Sequence, residues 1–280
     1  MTRMLATILL AAATAAAGEA LEKAVAAFRE GRFEEAAEGA GAVRENDPDY
    51  PRARYLAGEI RLALGENAAA ESAFRDALEK RPGSEPILTG LGRAQLAQGK
   101  DAEALETLEK AVKADAQSAR AHAFLGAAQM RTSNGKKGDR ALDTAIKLGG
   151  NDAEVVRAVV VERVRADDAA AAKRILKAFV AANKASAMGP FLAATIAEHE
   201  KAYDEAIAAY EKAIALDPKF LDAHKNLAIL CIAQNPLYQN QERTKKALEH
   251  FEEYKKLGGR DGRVIEIYET LLQFVSPQGG

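Results

Sequence analysis

Four histidines, one cysteine and one basic glycine turn are the groups in this 280-residue chain best suited by type to catalysis or metal binding. His122, His199, His224 and His250 stand far apart, and no His-Glu-x-x-His spacing occurs. Nothing therefore sets two imidazoles on one helical turn for zinc. Gly135, Lys136, Lys137 and Gly138 have the flavour of a phosphate loop but lack its spacing and its hydroxyl, and no predicted strand precedes them. They predict a widened helical turn. No Gly-x-Ser-x-Gly elbow is present. The carboxylates alternate with lysine and arginine, as from Glu205 to Glu211 and Lys212, which is the pattern of solvated helix faces. The expectation is a chain with no catalytic residues, no metal and no cofactor.

The elements that position these groups are set by repetition. One frame of 34 residues starts at Ala17 and recurs at Pro51, Glu85, Ala119, Ala153, Ala187 and Leu221, with one insertion of about seven residues in the last repeat. Its twentieth position is always small: Ala36, Ala70, Ala104, Gly138, Ala172, Ala206 and Ala247. Its eighth is Ala24, Gly58, Gly92, Gly126, Val160, Ala194 and Ala228. Four places past the twentieth come Ala40, Phe74, Leu108, Leu142, Leu176, Tyr210 and Phe251. Small sites beside large ones let two helices interlock closely. Gly31, Gly65 and Gly99 mark the turn that ends the first helix of a repeat, and Pro48, Pro82 and Pro218 follow the second. Ala116, Gly150 and Lys184 replace that proline elsewhere, which predicts softer stops.

The run KAYDEAIAAYEKAIALDP, with Tyr203, Ala206, Tyr210, Ala213, Asp217 and Pro218, resembles the tetratricopeptide repeat family. The likeness extends over residues 17 to 261 and departs at the fourth position, where the family often has Trp and this chain has none. It implies an all-α, right-handed α-solenoid of seven helix-turn-helix repeats over residues 18–261, with a capping helix and tail at 262–280. In the cap, Ile265, Tyr268, Leu271, Leu272 and Val275 are expected to cover the last repeat. The competing reading is a docking helix for another protein.

In that family the first helix of each repeat lines a concave groove that binds protein segments. The matching positions here carry Arg52, Tyr55, Arg93, Arg120, Phe124, Met130, Arg131, Arg157 and Arg165, then Phe191, Thr195, His199, Lys225 and Asn226. The acids among them are few, chiefly Glu59 and Glu154, so the expectation is a positive lining that grips an acidic peptide or chain terminus. The competing reading pairs these arginines with neighbouring acids. The Lys and Asn clamp by which some relatives hold chaperone termini is not reproduced, since no Asn stands at the ninth position. His122 and His224 share the fourth position, where the resemblance implies packing between helices.

Formal charge is −2, which speaks against general nucleic-acid or anionic-membrane binding. Cys231 is the only cysteine, so no intrachain disulfide exists, and its place in the frame predicts a buried thiol. Residues 1–17, with Arg3 and then MLATILLAAATAAA, read as a signal peptide cut after Ala17, and an uncleaved anchor is the alternative. An exported, periplasmic scaffold is expected, with self-association or docking into a larger envelope assembly as the rival role. Gln234 to Thr244 should form an exposed loop, with Leu237 and Tyr238 as candidate anchors.

Overall fold

The computed structural model describes residues 18–132, 135–234 and 240–275. Fifteen helices and no strand occur among them: α1 at 18–29, α2 Phe33–Gly41, α3 Tyr50–Leu64, α4 Asn67–Lys80, α5 Glu85–Ala97, α6 Asp101–Ala114, α7 Ala119–Arg131, α8 Gly135–Gly149, α9 Ala153–Arg165, α10 Ala169–Ala182, α11 Met188–His199, α12 Tyr203–Leu216, α13 Leu221–Ala233, α14 Gln241–Lys256 and α15 Gly262–Val275. Contacts divide the chain into two compact units, residues 1–116 and 117–280. The expected leader, residues 1–17, and the tail at 276–280 lie outside the described residues.

In the first unit α3 pairs with α4 and α5 with α6, and the first helices α3 and α5 also touch. The packing rule is steric. A Cβ built on Gly58 would stand 2.6 Å from the Phe74 ring, and one on Gly90 would stand 2.5 Å from it, so this ring lies between glycines of two successive repeats. The same rule sets Gly92 against Leu108, at 2.5 Å from its Cγ. Helices approach this closely only where a side chain is missing, and the facing large residue fills the volume. Gly31, Gly65 and Gly99 adopt φ of 72°, 84° and 75°, the left-handed turn that the frame called for.

The second unit repeats the scheme with α7–α8, α9–α10, α11–α12 and α13–α14 as hairpins, while α7 packs on α9 and α9 on α11. Gly126 faces Leu142, and Gly138 sits where a Cβ would meet Met130 at 2.7 Å. The basic glycine run is therefore the first turn of α8, with Gly138 serving close packing. Asp167 and Lys201 hold the left-handed turn at φ 61° without being glycine. Proline does not decide where second helices stop: α4, α6, α10 and α12 end at the same phase, at Lys80, Ala114, Ala182 and Leu216, whether or not Pro follows. α6 and α10, ahead of Ala116 and Lys184, stop where the proline-followed helices do, whereas α8, ahead of Gly150, runs one residue further to Gly149.

The seventh repeat absorbs its insertion in two places. The small anchor moves from Ala206 to Ala247, while α14 begins only at Gln241, so part of the added length extends α14 by most of a turn and the rest enlarges the connection. The terminal α15 rests on α14, with Tyr268 and Phe251 rings 5.8 Å apart. Val264, Tyr268 and Leu271 are its buried residues, whereas Leu272 and Val275 are exposed. Tyr268 and Leu271 of the expected set thus face inward, Ile265 is half-buried, and Val264, at i with Tyr268 at i+4 and Leu271 at i+7, completes the stripe in place of Leu272 and Val275.

Candidate partner-binding face

The first helices carry the candidate residues, and the structure gives the arginines carboxylate partners. In the first unit, Arg52 meets Glu22 at 2.6 Å and Arg93 meets Glu59 at 3.0 Å. Tyr55 stacks at a tilt on Phe74, with centroids 5.8 Å apart. In the second unit, Arg120 meets Asp152 at 3.2 Å and Glu154 at 3.0 Å. Arg131 and Arg165 share the buried Glu162, at 2.6 and 2.9 Å. Phe124 is half-buried on α7. The competing reading holds at these positions: each of these arginines has an acid within ion-pair distance, on the same helix or a neighbouring element. Glu59 and Glu154 are the two acids expected on this face, whereas Glu22, Asp152 and Glu162 stand at other phases of the frame.

One cluster gathers several candidates. Asp222, at the start of α13, accepts from Arg157 of α9 at 2.5 Å and from Lys225 at 2.7 Å. Burial alone would raise the Asp222 carboxyl, but Lys225 and Arg157 outweigh it and hold it well below the usual carboxylate range. Lys225 is raised in turn, since Asp222 more than offsets the desolvation that lowers it. The Arg157 to Asp222 link spans 65 residues and could not be read from local sequence.

Beside it lies a second, mostly buried group. Phe191 is buried against Phe220 and Tyr210, with centroids at 4.8 and 5.6 Å, so it serves the core rather than an open anchor site. The Asn226 Nδ2 donates to the Tyr210 hydroxyl at 3.2 Å, and Thr195 donates to the Phe191 carbonyl at 3.2 Å. Burial pushes the Tyr210 phenol up, with the neighbouring Glu198 adding to the shift, and burial likewise raises Glu198. Sequence reading overlooked both Glu198 and Asp222. His199, on the outer end of α11, lies 2.9 Å from the carboxylate of Asp167. Leu237 and Tyr238 lie outside the described residues.

Cys231 is fully buried, and burial raises its thiol above the usual value. Among the described residues no group of three or more His, Cys, Asp or Glu is arranged to hold a metal ion, and no helix is long and apolar enough to cross a membrane.

Interlocked helical hairpins at a fixed period define an all-α solenoid. Sequence models of the tetratricopeptide repeat match residues 21–85 and 61–128, and a third for the same repeat matches 200–234. The chain belongs to the tetratricopeptide repeat family, which marks it as a protein-protein interaction scaffold. Among solved structures it is similar to a tetratricopeptide repeat protein from Parabacteroides merdae, at 14% identity and TM-score 0.57, covering 92% of this chain and 99% of the other. It is also similar to the Cut9–Hcn1 hetero-tetramer of the APC/C, at 15% identity and TM-score 0.54, covering 89% of this chain but 48% of that one. At such identity the likeness is one of fold. No curated protein matches the chain.

Proposed function

We propose that this chain is a non-catalytic scaffold of a bacterial cell envelope, and that the first-helix face of its second unit binds an acidic segment of a partner protein. The observation that carries this reading is the seat of Asp222 between Arg157 and Lys225. That seat already holds a carboxylate between two cations, so a partner's Asp, Glu or chain terminus matches its chemistry and can exchange with Asp222. Arg120, about half exposed, supplies a second cation on the same unit. The export part of the reading rests on the leader-like residues 1–17.

Crosslinking in intact cells followed by mass spectrometry tests both parts, since it identifies partners and the mature N-terminus together. Arg157→Gln with Lys225→Gln should remove capture of the crosslinked partner segment while leaving helicity intact. Undiminished capture overturns the reading. Reversing Arg131 would be a poor test, because a carboxylate there would face the buried Glu162.

A second reading, an assembly subunit that docks through its end, is favoured by exposed Leu272, Phe274 and Val275 on α15. Mass measured against concentration separates the two. A monomer at all concentrations removes self-assembly.

A further inference from the structure

The fourth position of the repeat was expected to hold a ring for packing, and His224 does pack, at 4% exposure. Both of its nitrogens are nevertheless engaged. Nε2 lies 3.1 Å from the Pro218 carbonyl oxygen, and Nδ1 lies 3.0 Å from Nδ1 of His250 on α14. A carbonyl oxygen only accepts, so His224 carries its proton on Nε2. Its Nδ1 is then bare in the neutral ring, and His250 must donate from Nδ1. The rings stand 5.1 Å apart at a tilt of 56°.

This pair is complete with both rings neutral. A proton added to His250 keeps the shared bond but leaves a cation in a half-buried place. A proton added to His224 sets N–H against N–H and breaks the bond. Both rings are therefore held by one shared bond that exists in full only while His224 Nδ1 stays bare. Burial, followed by the neighbouring His224, pushes the His250 imidazole below its ordinary value. Glu211 from α12 and Glu249 from α14 oppose this, and Lys246 from α14 adds to it. Glu253 of α14 also faces both rings.

We propose that the His224 and His250 pair is an acid-released pin between α13 and α14. The pin holds the seventh repeat while neutral and loosens it, together with the α15 cap, once protonated. The cap is included because α15 stands on α14 through Tyr268 and Phe251. The sign follows from the depressed His250 value. The stabilisation is complete above the ordinary 6.5, and it declines as pH falls from there through the lower folded-state value.

Amide hydrogen exchange of the full-length chain, corrected for intrinsic rates, tests the device by comparison of about pH 7.5 with about pH 5.5. Opening of α13, α14 and α15 should rise severalfold at the lower pH, while α9 and α10 hold. His250→Asn places an amide donor where Nδ1 was and cannot take the proton, so its exchange should lose that pH response. An equal pH response in wild type and variant overturns the proposal. The wild-type His250 ring resonance, followed by NMR, needs no variant: titration at or above the ordinary histidine value overturns it as well. Neither result bears on partner capture at Arg157.

Discussion

Arg93 meets Glu59 one full repeat earlier, 34 residues back in the chain, with the charged groups 3.0 Å apart and the side chains only 18% and 14% exposed. The two residues hold the same phase on α5 and α3, so the pair ties successive first helices together. Removing one member leaves the other charge poorly solvated. Glu59→Ala and Arg93→Ala should each lose about 1–2 kcal/mol in urea unfolding, and the double variant should lose about 1 kcal/mol less than the sum. Strict additivity would show that the pair contributes no coupling.

The close approach of α5 and α6 depends on Gly92, whose added Cβ would lie 2.5 Å from Leu108 Cγ. Leu108 is fully buried and cannot swing aside into solvent. Gly92→Ala should therefore destabilise the fold by about 1–3 kcal/mol through overpacking, and Leu108→Ala by about 2–5 kcal/mol through a cavity. Because the new methyl enters the vacated volume, the double variant should lose clearly less than the sum of the two. Chemical unfolding of the three proteins measures it.

That steric code was legible in the sequence because it is strictly periodic: a missing side chain at one phase and a large one at another have the same neighbours in every repeat. Gly90 escaped the reading because it serves Phe74 of the preceding repeat from a phase where other repeats have ordinary residues. Charge pairing was far less legible. Arg157 reaches Asp222 across 65 residues, a contact set by how helices α9 and α13 stand and by side-chain direction. Asp222 and Glu198 stand on groove phases, as the arginines do, but Arg157 comes to Asp222 from another helix, so sequence position alone did not show which cation it balances. Likewise α15 has two apolar stripes, and only contact with Phe251 and its neighbours decides that the one through Val264, Tyr268 and Leu271 turns inward.

Glu71 shows how an acid inside the first unit governs pH dependence. Its side chain is nearly buried, and burial alone would raise its carboxyl. Hydrogen bonds from Lys100, Arg75 and Gln98 outweigh that and bring it from 4.5 to about 2. A depressed carboxyl contributes stability that is complete above its unfolded value and is lost as pH falls toward 2. Glu71→Gln should lower unfolding free energy at neutral pH by about 2 kcal/mol and narrow its gap from wild type as acid is added through that window. A gap that stays constant down to the acid limit would assign the loss to packing.

Lys201 ends α11 with φ of 61°, the conformation that Gly31, Gly65 and Gly99 hold at the same phase without a Cβ. Asp167 also holds it, but its carboxylate is engaged by His199 at 2.9 Å, so replacing it would confound backbone strain with a lost contact. A left-handed L residue costs about 1–2 kcal/mol, and part of any gain from glycine is returned as unfolded-chain entropy. Lys201→Gly should therefore stabilise the protein by about 0.5–1 kcal/mol, a rise of a few degrees in Tm. Gly65→Ala, which runs the same exchange backwards, should destabilise it by a similar amount. If Lys201→Gly instead lowers Tm, the lysine side chain is contributing more than its backbone strain costs, and the turn's preference for glycine at this phase is not energetic in the sixth repeat.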